Sequence, residues 1–439
     1  MIKTIQTHIS GYPRIGEKRE LKKATEAYWN GKCSREELEE TGRELRKQNW
    51  AKQAAAGIDL LPCNDFSFYD QILDFSLLVG NVPPRFQDAP DPLFAMARGT
   101  SDGFACEMTK WFDTNYHFIV PEFLPETKFT LTGSKIFDEF AEARALGHQA
   151  KPVLPGPATY LTLGKGTNFD RFDLLPQLLE VYCEILQTLE IQGAEWVQID
   201  EPIFALDLNE TQRNAILDSW SALSQAAPKL KLIVASYFGP LRENLPLFLS
   251  LPAQVFHIDA VRAPEEIEPV VKNFPAEKTL SLGIIDGRNI WKNDFTKSLQ
   301  LLEKARGTLG GERLWIAPSC SLQHVPITLS NEIKLDEDLK NWLAFADEKL
   351  AEITTLNALL RGTADTQALA ENQQSLLSRS ESTRIHRAVV KERITSIKPA
   401  DSSRTSPFFQ RRLAQQEKLQ LPSFPTTTIG SFPQTKEVR

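Results

Sequence analysis

The sequence predicts an α/β protein: a (β/α)8 TIM-like barrel with a hairpin excursion and a long C-terminal helical segment. Three observations predict it. Short apolar runs that end in Pro, Gly or an acid alternate with longer amphipathic stretches, and such alternation implies parallel strands joined by crossover helices. The runs are apolar on successive residues, as strands buried on both faces are. A chain of 439 residues, 41% of them hydrophobic, can fill one large barrel and leave residues over for further elements. A doubly wound open sheet is the competing architecture.

In chain order the strand candidates are TIQTHISGYP, GIDLLPCNDF, NYHFIVPEF, KPVLPGPATY, EWVQIDEP, LKLIVASYFG, AQVFHIDAVR, TLSLGIIDGR and LWIAPSCSL. A barrel needs one fewer. NYHFIVPEF is the surplus, because TKFTLTGSKIF follows at once and the two read as a hairpin. Stretches such as SREELEETGRELRKQNWAKQAAAG and FDLLPQLLEVYCEILQTLEIQG carry helical periodicity between strands. The barrel is expected over residues 1–334 and a helical segment over 335–398. The Pro-, Ser- and Arg-rich stretch 399–425 reads as an inter-domain linker.

Residues 426–439 look like an opening. Gly11-Tyr12-Pro13 matches Ser431-Phe432-Pro433, and Glu17 and Arg19 match Glu437 and Arg439, at a constant offset of 420 (431 − 11 and 439 − 19). A copy of the N-terminal unit after a linker is expected to be the first strand and loop of a second, truncated barrel. The alternative is a strand that closes this one domain.

Composition narrows the function. The formal net charge of −7 argues against nonspecific nucleic-acid binding. Cys33, Cys63, Cys106, Cys183 and Cys320 include no C-x-x-C pair, so a reduced, cytoplasmic chain is expected. MIKTIQTHIS lacks the apolar core of a signal peptide, and no apolar run is long enough to span a membrane. His8, His117, His148, His257, His324 and His386 form no HExxH or close Cys/His set. Phosphate-binding glycine loops and the nucleophile elbow are also missing.

Several constellations remain. RIGEKRELKK gathers Arg14, Lys18, Arg19, Lys22 and Lys23 at a loop-to-helix entry after a strand. Helical spacing lets several of these charges share a face, and free N–H groups at a helix start attract anions. The cluster is therefore either a polyanion site or a solvated face partly neutralised by Glu17 and Glu20. EMTKWFDTNYHF sets Trp111, Phe112, Tyr116 and Phe118 around Lys110 and His117: either a stacking platform with a cation, or core beside a surface lysine. QIDEP places Asp200 and Glu201 at a strand end, where paired acids can do acid/base work. Strand alternation lets only one of them face the axis. Cys320, in APSCSLQH near His324, is a lone ligand or a buried thiol.

Taken together, GYPRIGEKRELKKA, AGIDLLPCNDFSFYDQ, MTKWFDTNYH, LPGPATYLTLGK, VQIDEP, APSCSL and LPSFPTTTIGSFPQTKEVR resemble the N-terminal part of the cobalamin-independent methionine synthases, from the first residue to the last. The resemblance implies two face-to-face barrels made by duplication, with the active site between them. It implies a folate-binding role for Arg19, Glu20, Leu21, Lys22 and Lys110, and a homocysteine-binding role for Ile429, Gly430 and Ser431. The implied partners are 5-methyltetrahydropteroyltri-L-glutamate and, through the missing barrel, L-homocysteine, with no nucleic acid and no membrane. Zinc would be held by a histidine, two cysteines and a glutamate of that missing barrel, and would keep the homocysteine sulfur as a thiolate that attacks the N5-methyl group.

On this resemblance the basic cluster is a site for the polyglutamate tail. The counterparts of the zinc ligands here would be Val234, Ser236, Asp259 and Cys320, too poor a set to bind the metal. No catalytic residue and no cofactor are expected in this chain, which positions folate and is inactive alone. The alternatives are a scaffold barrel with no ligand binding of its own, or a barrel hydrolase using Asp200 and Glu201.

Overall fold

A computed structural model of the chain describes residues 7–364, 366–428 and 430. These fall into two compact units, Met1–Ser378 and Arg379–Arg439. In chain order the strands among the described residues are β1 (Leu61–Cys63), β2 (Met108–Lys110), β3 (His117–Ile119), β4 (Glu122–Phe123), β5 (Ala150–Pro155), β6 (Lys165–Gly166), β7 (Trp196–Asp200), β8 (Lys231–Ala235), β9 (Val255–Asp259), β10 (Thr279–Ile285) and β11 (Leu314–Pro318). Seven of them form one parallel sheet in the order β1-β5-β7-β8-β9-β10-β11. Its two edges meet on the N-terminal segment: Thr7 bridges Ile316 and His8 bridges Leu60, both in parallel. The ring is thereby closed, and the segment at 7–8 takes the eighth place.

The strand residues show why the sequence folds this way. Strands β7, β9 and β11 are buried at every position, as a parallel sheet wrapped by helices requires. Inside the ring, Leu60, Trp196, Ile233, Val255 and Trp315 pack as one cluster. The alternate positions Leu232 and Val234 turn to the helix-facing core. Helices Arg35–Ala55, Lys135–Ala145, Leu175–Ile191, Glu210–Ala226 and Phe295–Leu309 cover the outside. Their starts are written locally: Ser34 with Glu37, and Asn209 with Gln212, form capping boxes that satisfy otherwise orphaned amides. Helix Ala346–Leu360 buries Leu350, Ile353 and Leu356 in the same core. An outer element of the barrel thus comes from the stretch that composition groups with the C-terminal helices.

The hairpin exists with a different partner. NYHFIVPEF supplies β3, but β3 pairs antiparallel with β2, in register Lys110↔His117 and Met108↔Ile119. TKFTLTGSKIF forms no strand. Its Thr130 and Thr132 amides donate to the carbonyls of Val79 and Leu78 at the end of helix Gln71–Leu78, and its last residues start helix Lys135–Ala145. Capping a helix end outweighs the β propensity of the threonines.

In the smaller unit, helices Ala388–Thr395 and Phe408–Leu419 carry exposed Val389, Ile394, Phe408 and Phe409, and none of its described residues is buried. The stretch 399–425 therefore holds a helix, which starts directly after Pro407. No described helix is long and apolar enough to cross a membrane.

Candidate functional site

Thr7 and His8 run parallel to the edge strands, so the chain beyond them emerges at the C-terminal ends of the strands. Gly11 lies against Ser321, where a Cβ would meet Oγ at 2.5 Å. The Tyr12 amide donates to Asp65 at 2.9 Å, and its hydroxyl donates to Asp347. The Gly-Tyr-Pro motif thus anchors the strand end.

The cationic turn follows. Gly16 and Arg19 both take left-handed backbone, φ 81° and 62°, and Arg19 sits immediately before helix Glu20–Trp29. A left-handed arginine costs about 1–2 kcal/mol, a kind of local strain concentrated at functional sites. Glu20 folds back, and its carboxylate accepts from the Lys18 amide at 2.9 Å. Leu21 is buried with Leu45 and Phe66. Glu20 and Leu21 therefore hold the turn, while Arg19, Lys22 and Lys23 are exposed. Lys22 has a 3.7 Å contact with Glu26, a half-exposed pair worth little.

Arg14 leaves this cluster. It turns inward, donates to the Tyr69 carbonyl at 2.5 Å and to the Tyr116 hydroxyl at 3.2 Å, and stacks on the Tyr116 ring at 5.3 Å. It fastens the cationic turn to the hairpin that carries exposed Lys110. Asp70 secures the same hairpin by accepting from the Ile119 amide at 2.9 Å. Trp111 and Phe118 are core residues, only Phe112 and Tyr116 being partly exposed, so the aromatic cluster is no open platform.

Below the rim, a buried polar chain runs along the axis. Lys151 donates to Gln198, whose amide donates to Asp200 at 2.6 Å, and the Tyr237 hydroxyl donates to Asp200 at 3.0 Å. Burial pushes the Lys151 ammonium down and the Asp200 carboxyl up. Asp200 faces a small cleft shared with Ser10, Asp65, Tyr237, Phe238 and His324.

Glu201 turns the other way, as alternation requires. It accepts from the Thr159 amide at 3.0 Å and from the Thr159 hydroxyl, in the first turn of helix Pro157–Leu163. Gly156 leaves the room, since a Cβ there would fall on the Glu201 carboxylate. Burial raises the Glu201 carboxyl to about 7 from 4.5. The folded form then keeps a proton that the unfolded chain releases from about pH 4.5 upward, so this contribution to stability falls across that window and is level above about 7. Thermal melts of Glu201→Gln should show the variant gaining on the parent between pH 5 and pH 8, by up to about 3 kcal/mol. A difference that does not change with pH would contradict the assignment.

The four residues expected as counterparts of zinc ligands are each otherwise placed. Val234 faces the helices. Ser236 is buried with its hydroxyl unpartnered. Asp259 accepts from the Phe238, Val261 and Arg262 amides at 3.0, 3.1 and 2.9 Å. Burial pushes the Cys320 thiol far above its ordinary range. Among the described residues no three His, Cys, Asp or Glu side chains converge. Gly430 is exposed; Ile429 and Ser431 lie outside the described residues, as does the repeat's second copy from residue 431.

A cavity of about 1100 Å³ lies on the flank between helices Arg35–Ala55 and Lys135–Ala145. Its cations are already matched: Arg46 with Glu139 and Glu142, Lys135 with Asp74 and Glu139. The rim, where Arg19, Lys23 and Lys110 have no ion-pair partner among the described residues, is the better candidate.

Sequence reasoning missed the Lys151–Gln198–Asp200 chain. It also missed a clamp on the rim, where Arg288 donates to Asp113 at 2.7 Å and Arg262 at 3.4 Å. The only signal for the clamp was an arginine shortly after the strand-end aspartate in HIDAVR and in IIDGR.

A closed parallel barrel with its polar groups gathered at the C-terminal mouth is of the class that binds small molecules there. Residues 6–310 match the model of the cobalamin-independent synthase N-terminal domain, and the chain belongs to that family. It is 47% identical over 455 residues to a 5-methyltetrahydropteroyltriglutamate–homocysteine methyltransferase of Flavobacterium johnsoniae, covering 99% of this chain and 59% of the relative. It is 49% identical over 442 residues to the enzyme of the same name in Nitrosomonas europaea, covering 99% and 58%. The chain thus spans less than two thirds of these relatives.

Among solved structures, a B12-independent methionine synthase of Shewanella sp. W3-18-1 in complex with selenomethionine aligns at TM-score 0.56 and 17% identity, over 77% of this chain and 92% of that one. A methyltransferase of Methanosarcina mazei aligns at 0.51 and 11%, over 82% and 95%. At these identities the likeness shows the fold, an α/β barrel.

Proposed function

We propose that this chain is the folate-binding half of a zinc-dependent methyltransferase that moves the methyl group of 5-methyltetrahydropteroyl-polyglutamate to L-homocysteine, giving L-methionine. The observation that carries the proposal is the Arg19–Lys22 turn: a strained, internally braced loop on the C-terminal rim that presents cations with few acidic partners. The chemistry it suits is the row of carboxylates in a polyglutamate tail. Arg19 and Lys22 hold the tail, Glu20 and Leu21 shape the turn, and Lys110 adds a cation from the hairpin that Arg14 fastens alongside. Fixing one reactant in this way can supply much of a rate enhancement.

Val234, Ser236, Asp259 and Cys320 make too poor a donor set for zinc. On this reading Ile429, Gly430 and Ser431 contact homocysteine, and the zinc ligands come from a second barrel. The five free thiols suit a cytoplasmic location. The hydrolase alternative loses its second acid, since Glu201 is spent on helix Pro157–Leu163.

Titration of the chain with the triglutamate form of 5-methyltetrahydrofolate should show saturable binding that weakens as salt is raised. No binding at low salt would leave a scaffold barrel. Methionine formation should appear only when the C-terminal portion of a longer relative is added.

A further inference from the structure

We propose that Arg262 and Arg288 form an anion subsite on the rim, filled in the resting chain by its own Asp113, and that a small-molecule carboxylate takes the site by exchange with Asp113. The two arginines come from different segments, one after β9 and one after β10. Each has its backbone fixed by an acid: the Arg262 amide donates to Asp259 at 2.9 Å and the Arg288 amide to Asp286 at 2.8 Å. Arg288 is also stacked on Phe238 at 5.1 Å, and its side chain is only 16% exposed. Arg288 is thus held in place and partly desolvated, conditions under which a charged hydrogen bond is strong, while Arg262, 46% exposed, adds a second cation from the neighbouring loop.

The resident anion is held far more loosely. Asp113 lies at the hairpin tip, 57% exposed. Beyond Arg288 Nη1 at 2.7 Å and the Arg262 contact at 3.4 Å, only its backbone carbonyl is engaged, by Arg288 at 3.1 Å. Its neighbour Phe112 takes left-handed backbone at φ 51°, as does Phe238 at φ 78° beneath Arg288. A braced Arg288 with Arg262 beside it, closed by a carboxylate on an exposed tip, is open to exchange. Because the occupant is a carboxylate, the favoured ligand is one too, although phosphate shares the chemistry. This subsite does not depend on the Arg19–Lys22 turn.

The test titrates the full chain with glutarate and, separately, with inorganic phosphate. Asp113→Asn should bind glutarate about five- to tenfold more tightly than the parent, the exposed internal ion pair being worth about 1 kcal/mol. Glu126→Gln, which removes the same charge from an exposed position, should match the parent. Adding Arg288→Ala or Arg262→Ala to Asp113→Asn should abolish the gain, with circular dichroism confirming the fold and Arg288→Lys serving if the alanine variant unfolds. The proposal is overturned if Asp113→Asn gains no more than Glu126→Gln, if the arginine variants keep the gain, if phosphate binds more tightly than glutarate, or if glutarate binds none of the variants. Folate triglutamate binding that depends on Lys22, with no glutarate gain in Asp113→Asn, would leave the turn in place while ending this proposal.

Discussion

Replacing Lys151 with methionine is expected to destabilise the barrel by about 3–5 kcal/mol, the cost of leaving a buried charge uncompensated. Lys151 and Gln198 are inaccessible and Asp200 nearly so, and the chain from Lys151 through Gln198 to Asp200 and Tyr237 runs along the inside of the ring in place of apolar packing. Without the ammonium, Gln198 loses a donor and Asp200 loses its nearest opposite charge. The double variant Lys151→Met/Asp200→Asn removes both charges and should regain more than half of the loss. Guanidinium unfolding measures both. A single variant within about 1 kcal/mol of the parent would show that the chain is not a structural element, given that neutral changes usually fall below that.

The second large effect concerns binding. Arg19→Ala with Lys22→Ala should weaken binding of the folate triglutamate by about 30- to 150-fold, from two lost charge-assisted contacts at roughly 1–1.5 kcal/mol each. Stability should change little, because both side chains are exposed and Lys22 has only a half-exposed partner. Lys110→Ala, on an exposed strand, is expected to cost less than the double variant. The midpoint of unfolding and the affinity, measured on the same preparation, separate loss of contact from loss of fold.

Much of this was legible in the sequence, for physical reasons. Strands of a parallel ring are buried on both faces, so they announce themselves as unbroken apolar runs. The RELK turn was visible because four of its neighbours are charged and the next strand-end motif is not. That Asp200 and Glu201 point opposite ways followed from alternation, but which of them faces the axis did not. What the sequence concealed was mainly non-local. Arg14 sits among cations and looks solvated, yet its partner Tyr116 is 102 residues away. Strand β2 is exposed at all three positions and carries no alternation, so its pairing with β3 left no trace. The thread TKFTLTGSKIF has β-branched residues but spends its amides on a helix end. Pro407 read as part of a linker, whereas it stands just before a helix, where a proline is well tolerated.

The most direct measurement is the ratio of affinities for the tri- and monoglutamate forms of 5-methyltetrahydrofolate, on the parent chain and on Arg19→Ala/Lys22→Ala. A cationic turn that grips the tail predicts a parent preference for the triglutamate of about tenfold or more, falling to near unity in the variant. Equal affinities in the parent, or a preference that survives loss of both cations, would contradict it.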